Sequence, residues 1–100
     1  MKNNYVFHKG LKLTFVKDKV VKVLFDDGLT KECDLTEIIN KIPQLSSLNN
    51  QKLFMKGKLD YGDGIVWSDE LDLDICYVYD HGEIVENDPD SPIYLIGHQI

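Results

Sequence analysis

Leu11, Leu13 and Phe15 alternate with Lys12 and Thr14, the period-two pattern of a half-buried strand. A polar turn, Lys17-Asp18-Lys19, precedes a second alternation in which Val21, Val23 and Phe25 are set between Lys22 and Leu24. Asp27-Gly28 follows, a strong hairpin signal that predicts a type I′ turn and a returning strand over Leu29 to Cys33. The spacing then changes. Leu35, Ile38, Ile39 and Ile42 share one face at helical period, with Asp34 or Thr36 as the cap and Pro43 as the stop. Ser46, Ser47, Asn49 and Asn50 mark a loop from which Leu45 and Leu48 dip into the core. Leu53 to Leu59 reads as a fourth strand, Tyr61-Gly62-Asp63-Gly64 as a turn, and Ile65 to Trp67 as a fifth strand. Asp69 to Tyr77 fits either a loop or one irregular helical turn.

Beyond Tyr77 come Asp80-His81-Gly82 and the Asn87 to Pro92 tract, both turn and spacer chemistry. Two apolar patches interrupt it, Ile84-Val85 and Ile93-Tyr94-Leu95-Ile96, the second predicting a strand that docks on an open edge or on a neighbouring chain. The expected fold is α+β, with an antiparallel sheet of about five strands: a three-stranded meander, one short helix, then a hairpin. Residues 1–79 form the expected single domain, and residues 80–100 an acidic spacer and short C-terminal strand.

A chain of 100 residues, 43% hydrophobic and 28% charged, matches one ordinary globular domain. No apolar run approaches the roughly 18–20 residues of a membrane span, and no apolar stretch behind Met1-Lys2-Asn3-Asn4-Tyr5 suggests a signal peptide. Cys33 and Cys76 are too few for a disulfide scaffold, so a reducing cytoplasm is the expected location. Charge adds a sharper fact. All 11 cations are lysines and the last is Lys58; residues 1–58 set them against six acids, a balance of +5, while residues 59–100 hold the other eleven acids and no lysine, a balance of −11. With no arginine and no clustered phosphate-neutralising patch, nucleic-acid binding is not expected. Lys9, Lys12, Lys17, Lys19 and Lys22 instead bracket the first hairpin, where lysines guard an edge strand against unwanted pairing.

Candidate chemistry is sparse. Trp67 reads as a structural anchor, burying a large apolar area and needing one partner for its N–H. Asp27 and Gly28 anchor the turn. The acids Asp69, Glu70, Asp72 and Asp74 lack the ligand spacing and central glycine of a calcium loop. His8, His81 and His98 are far apart and none stands at zinc-ligand spacing with a cysteine. Cys33, on a strand pattern, predicts a buried inert thiol, and Gly62-Asp63-Gly64 lies in a hairpin rather than before a helix. No catalytic, metal or cofactor residue is assigned.

The hairpin tract ending Asp27-Gly28, the Asp34-Leu35 pair, Phe54, Ile65 and Trp67, then Asp72-Leu73 and Cys76-Tyr77 together resemble the domain-of-unknown-function 2442 (DUF2442) family of small bacterial proteins, over Leu11 to Tyr77. Cys76 replaces the family's usual Leu, and Ser68-Asp69 its frequent Pro-Asn. The resemblance implies a compact α+β domain of the short kind that pairs with a second small protein, antitoxin fashion. It also implies a structural hydrogen bond from Asp72 to backbone N–H groups.

The leading expectation is a non-catalytic interaction or regulatory module. Asp69, Glu70, Asp72 and Asp74, with Asp88 and Asp90 in the spacer, would steer in a small basic protein, and Tyr77, Tyr79, Ile93, Tyr94 and Leu95 would supply the apolar anchor. A second expectation is a small ligand-binding domain or enzyme with a pocket between sheet and helix. A third is a homodimer through the C-terminal strand.

Overall fold

A computed structural model gives the fold for residues 7–86 and residue 88. Three strands, β1 (Gly10–Lys17), β2 (Val20–Phe25) and β3 (Thr30–Asp34), form the expected antiparallel meander. Helix α1 (Thr36–Lys41) follows where the period changes. The N-cap position of this helix is Leu35, with no side-chain cap; the Asp34 carboxylate just before it accepts from the Thr36 hydroxyl at 2.6 Å and the Thr36 N–H at 2.9 Å, and those two bonds hold Asp34 below the usual carboxylate range.

The turn between β2 and β3 is not type I′. Phe25 accepts from the Gly28 N–H and donates to the Leu29 carbonyl, so the loop has three residues, Asp26 to Gly28. Only Gly28 takes a positive φ, 89°, the arrangement of a three-residue hairpin with a bulge. Asp27 keeps a negative φ, and its Oδ1 accepts the Leu29 N–H at 3.0 Å. That bond is available because the carboxylate is not swung away by a left-handed backbone.

Two stretches differ from the expected pattern. The Ser46 to Asn50 loop belongs to a 3-10 helix over Pro43–Asn49, whose Leu45 and Leu48 are buried as expected. Gln51–Phe54 is a short helix, α2, which takes in Leu53 and Phe54 from the start of the expected strand; the Asn50 side chain accepts the Leu53 N–H and nucleates it. Strand β4 begins only at Lys58–Asp60. It pairs with β5 (Gly64–Ser68), which pairs with β6 (Leu71–Asp74). Leu71 and Leu73 are buried while Asp72 and Asp74 are exposed, so the stretch expected as a loop or helical turn carries a half-buried strand.

Helix α3 (Ile75–His81) then starts on the Asp74 carboxylate, which accepts the Cys76 N–H at 2.8 Å. Its span crosses the expected domain limit at residue 79. A two-residue strand, β7 (Glu83–Ile84), pairs with β3. The spacer thus begins inside the domain rather than after it. The strand expected over Ile93 to Ile96 lies outside the described residues.

The protein is therefore α+β, but with two antiparallel sheets in place of one: β1-β2-β3-β7 and β4-β5-β6. They meet where β1 packs on β4 and the Gly10 N–H donates to the Gly62 carbonyl at 2.9 Å. One core fills the space between them and the helices. Val21, Val23 and Phe25 from the first sheet, Ile65 and Leu73 from the second, and Phe54, Ile75 and Val78 from the helices all belong to it. β1 is an outer strand of its sheet, as its flanking lysines require.

Candidate functional site

Inward residues of the second sheet align as Leu59, Ile65 and Leu73 across its three strands. The same register fixes what faces outward. Lys58, Val66 and Asp72 make one row; Asp60, Gly64 and Asp74 make the next. Asp69 and Glu70 occupy the β5–β6 turn, both exposed. Asp72 and Asp74, two of the four acids that sequence placed along one short run, are thereby joined on the outward face by Asp60 of β4, while Asp69 and Glu70 stand at the far end of the β5–β6 hairpin. Asp60 had no local signal, because only strand pairing sets it across Gly64 from Asp74.

Among the described residues, the carboxylates of Asp60, Asp69, Glu70 and Asp72 make no ion pair or side-chain hydrogen bond. The backbone-binding role implied for Asp72 falls instead to Asp74, because Asp72 points outward mid-strand and Asp74 stands at the helix start. Asp60 and Asp74 flank Gly64 from strands two apart, a separation of about 10 Å. That spacing is too wide for one metal ion, and among the described residues no group of three His, Cys, Asp or Glu could hold one. Gly64, between Asp60 and Asp74, carries no side chain.

Of the expected apolar anchors, Tyr77 and Tyr79 are not on this face. Tyr79 is committed inside the domain: its hydroxyl donates to Asp27 Oδ2 at 2.5 Å, its ring meets Phe25 edge-on at 4.8 Å, and His8 stacks on it at 4.8 Å. Lys31 Nζ lies 3.7 Å above the same ring and donates to the Tyr79 carbonyl at 2.7 Å. His8 Nδ1 in turn lies 3.0 Å from Asp26 Oδ1, and the Lys9 backbone N–H with His8 holds Asp26 below its ordinary value. This His8–Asp26–Asp27–Tyr79 cluster escaped sequence reading because its members lie up to 71 positions apart. It ties the β2–β3 turn to α3. Gly28 serves the turn, and Asp27 adds a tertiary contact to it through Tyr79.

The hydrogen bond to Asp27, with partial burial, pushes Tyr79 up from 10.0 to about 12. A folded-state value above the unfolded one means stability that is complete below pH 10 and lost as pH rises to 12. Cys33 acts in the same direction, since burial pushes its thiol from 9.0 to about 11. Urea unfolding followed by circular dichroism should show stability falling from pH 9 upward. Tyr79→Phe should remove the part between pH 10 and 12 and spare the part due to Cys33. An identical slope in both proteins would refute the Tyr79–Asp27 bond as its source.

Tyr77 stacks on His81 with ring centroids 4.1 Å apart, and both line a solvent-open groove of about 260 Å³ with Glu37, Ile38, Lys41 and Ile42. The groove lies between α1 and α3, not between sheet and helix. Its volume falls short of the roughly 300–1,000 Å³ of small-molecule sites. Asp88, expected in an exposed spacer, is buried against the first sheet and cannot steer a partner. Asp90, Ile93, Tyr94 and Leu95 lie outside the described residues. Trp67 is half-buried, donating its indole N–H to the Phe54 carbonyl at 2.7 Å, and Cys33 is buried.

No helix among the described residues is long and apolar enough to cross a membrane. No protein-family model matches this chain, and no curated protein and no solved structure matches it.

Proposed function

We propose that the chain is a non-catalytic protein-interaction or regulatory module, the antitoxin-like member of a cytoplasmic two-protein pair, which holds a small basic partner on the outward face of its second sheet. The observation that carries this reading is the strand register that sets Asp60 and Asp74 on either side of Gly64, with Asp72 in the neighbouring row. A lysine or arginine side chain of the partner laid across Gly64 would meet a carboxylate on each side. Val66, half-buried at the centre of the neighbouring row, offers a small apolar contact. The resemblance to DUF2442 supports the pairing. Tyr77 and Tyr79 are not on this face, so electrostatic steering carries more of the recognition than buried area does.

The test has two stages. The tagged protein is first used to capture its partner from its own cells, with elution by a salt gradient and identification by mass spectrometry. Association is then timed with the captured protein. Asp60→Asn/Asp72→Asn, which spares the cap at Asp74, should lower the on-rate about 3–10-fold at low salt and converge with the parent at high salt. An on-rate indifferent to both substitutions and salt would sink the proposal.

A second reading, a small ligand-binding domain or enzyme, would have to use the groove beside Tyr77 and His81. Amide shifts confined to α1 and α3 on screening small polar compounds would support it.

A further inference from the structure

The stretch Glu83–Glu86 is attached to the first sheet differently from everything before it. Both residues of β7 are exposed, Ile84 at 56%, so apolar burial contributes little to holding the strand in place. Backbone bonds hold it: the pairing of Ile84 with Lys31 and of Glu83 with Glu32, and the Val85 N–H donating to the Thr30 carbonyl at 2.8 Å. Helix α3, immediately before, is anchored by the buried side chains of Ile75 and Val78, and the Gly82 N–H closes it on the Val78 carbonyl.

Three residues after Val85 the chain has crossed onto the outward face of the first sheet. There the Asp88 side chain is almost wholly buried, at 1% exposure. Its Oδ2 accepts the hydroxyl of Thr30, itself buried, at 2.6 Å, and its Oδ1 lies 3.5 Å from Lys22 Nζ. Thr30 thus holds the stretch at both ends, by its carbonyl to Val85 and by its hydroxyl to Asp88.

We infer that Glu83–Glu86 is a strap that opens and closes on the first sheet as a unit separate from the rest of the domain, with the Asp88 carboxylate, fastened to Thr30 and Lys22, as its latch. Segments with few buried apolar contacts open locally without global unfolding. In such a segment a buried, charge-assisted hydrogen bond is a large share of what keeps it closed. A carboxylate half-removed from water with one partner gone is strongly disfavoured, so the latch is either seated or fully solvated. Opening bares the backbone groups of Thr30–Glu32 that face β7, turning β3 into a free edge.

Hydrogen exchange followed by NMR on the full chain tests this. In Asp88→Asn, the amides of Val85 and the β3–β7 ladder should lose protection about 10–100-fold. Those of the β1–β2 ladder and α3 should hold theirs. Thr30→Val should produce a loss in the same amides, and the double variant should lose less than the two effects combined, because both substitutions break one contact. Protection lost evenly across the whole chain would overturn the strap, since Asp88 would then support the entire fold. Unchanged protection at Val85 would overturn the latch.

Discussion

Replacing Phe54 with alanine is expected to destabilise the protein by about 3–5 kcal/mol, the usual range for deleting a buried phenylalanine. Phe54 is fully buried and joins the two sheets. Its ring meets Phe15 of β1 edge-on at 5.1 Å and lies nearly parallel to Trp67 of β5 at 6.0 Å. Neither neighbour can fill the space alone, because each is tied to its own sheet by the strand ladder. For a domain of this size, about 1 kcal/mol moves the midpoint of thermal unfolding by roughly 4–8 °C. The variant should therefore melt at least about 12 °C below the parent in calorimetry. A drop of only a few degrees would mean that the two sheets do not depend on this contact.

Gly57→Ala should be nearly as damaging, about 2–4 kcal/mol, although it adds a single methyl group. A Cβ at this position would stand 2.6 Å from the indole Nε1 of Trp67 and 2.7 Å from Cε2. The clash falls on a rigid ring, and β5 holds that ring from behind. To relieve it, the indole must withdraw from the Phe54 carbonyl and expose its face to water. Trp67 is the chain's one tryptophan, so its fluorescence reports the event directly. Emission should shift to the red in the folded variant while the denaturant midpoint falls. An unshifted spectrum with unchanged stability would show that the indole does not rest on Gly57.

Where side-chain period and backbone geometry agree over six or more residues, the chain is legible. β1, β2 and α1 follow from alternation or helical spacing, and the burial of Val21, Val23, Phe25 and Ile39 follows with them. The burial of Cys33 and the one hydrogen-bond partner of the Trp67 indole were also readable from the side chains alone. Leu71-Asp72-Leu73-Asp74 carries a period-two signal too, but four residues dense in acid have the composition of a loop. Only pairing with β5 makes them a strand. Leu53-Phe54 resembles the beginning of a strand until the Asn50 cap and the Trp67 indole, thirteen positions from Phe54, satisfy the backbone there.

The candidate site divides in the same way. Its acidity belongs to the chain itself, since no lysine follows Lys58. Its shape does not. Asp60 joins Asp74 across Gly64 because the strand register aligns them, and register depends on which leucines and isoleucines the core accepts. Equally, nothing near Asp88 in the chain marks it as buried, and nothing near Tyr79 marks it as unavailable to a partner; Thr30 and Asp27 decide both from more than fifty positions away. Local order and charge balance were determined by the sequence, because both depend on neighbours along the chain. Which carboxylates face a partner and which fasten the fold was decided only by the tertiary structure, because strand pairing and burial depend on residues the chain brings together from a distance.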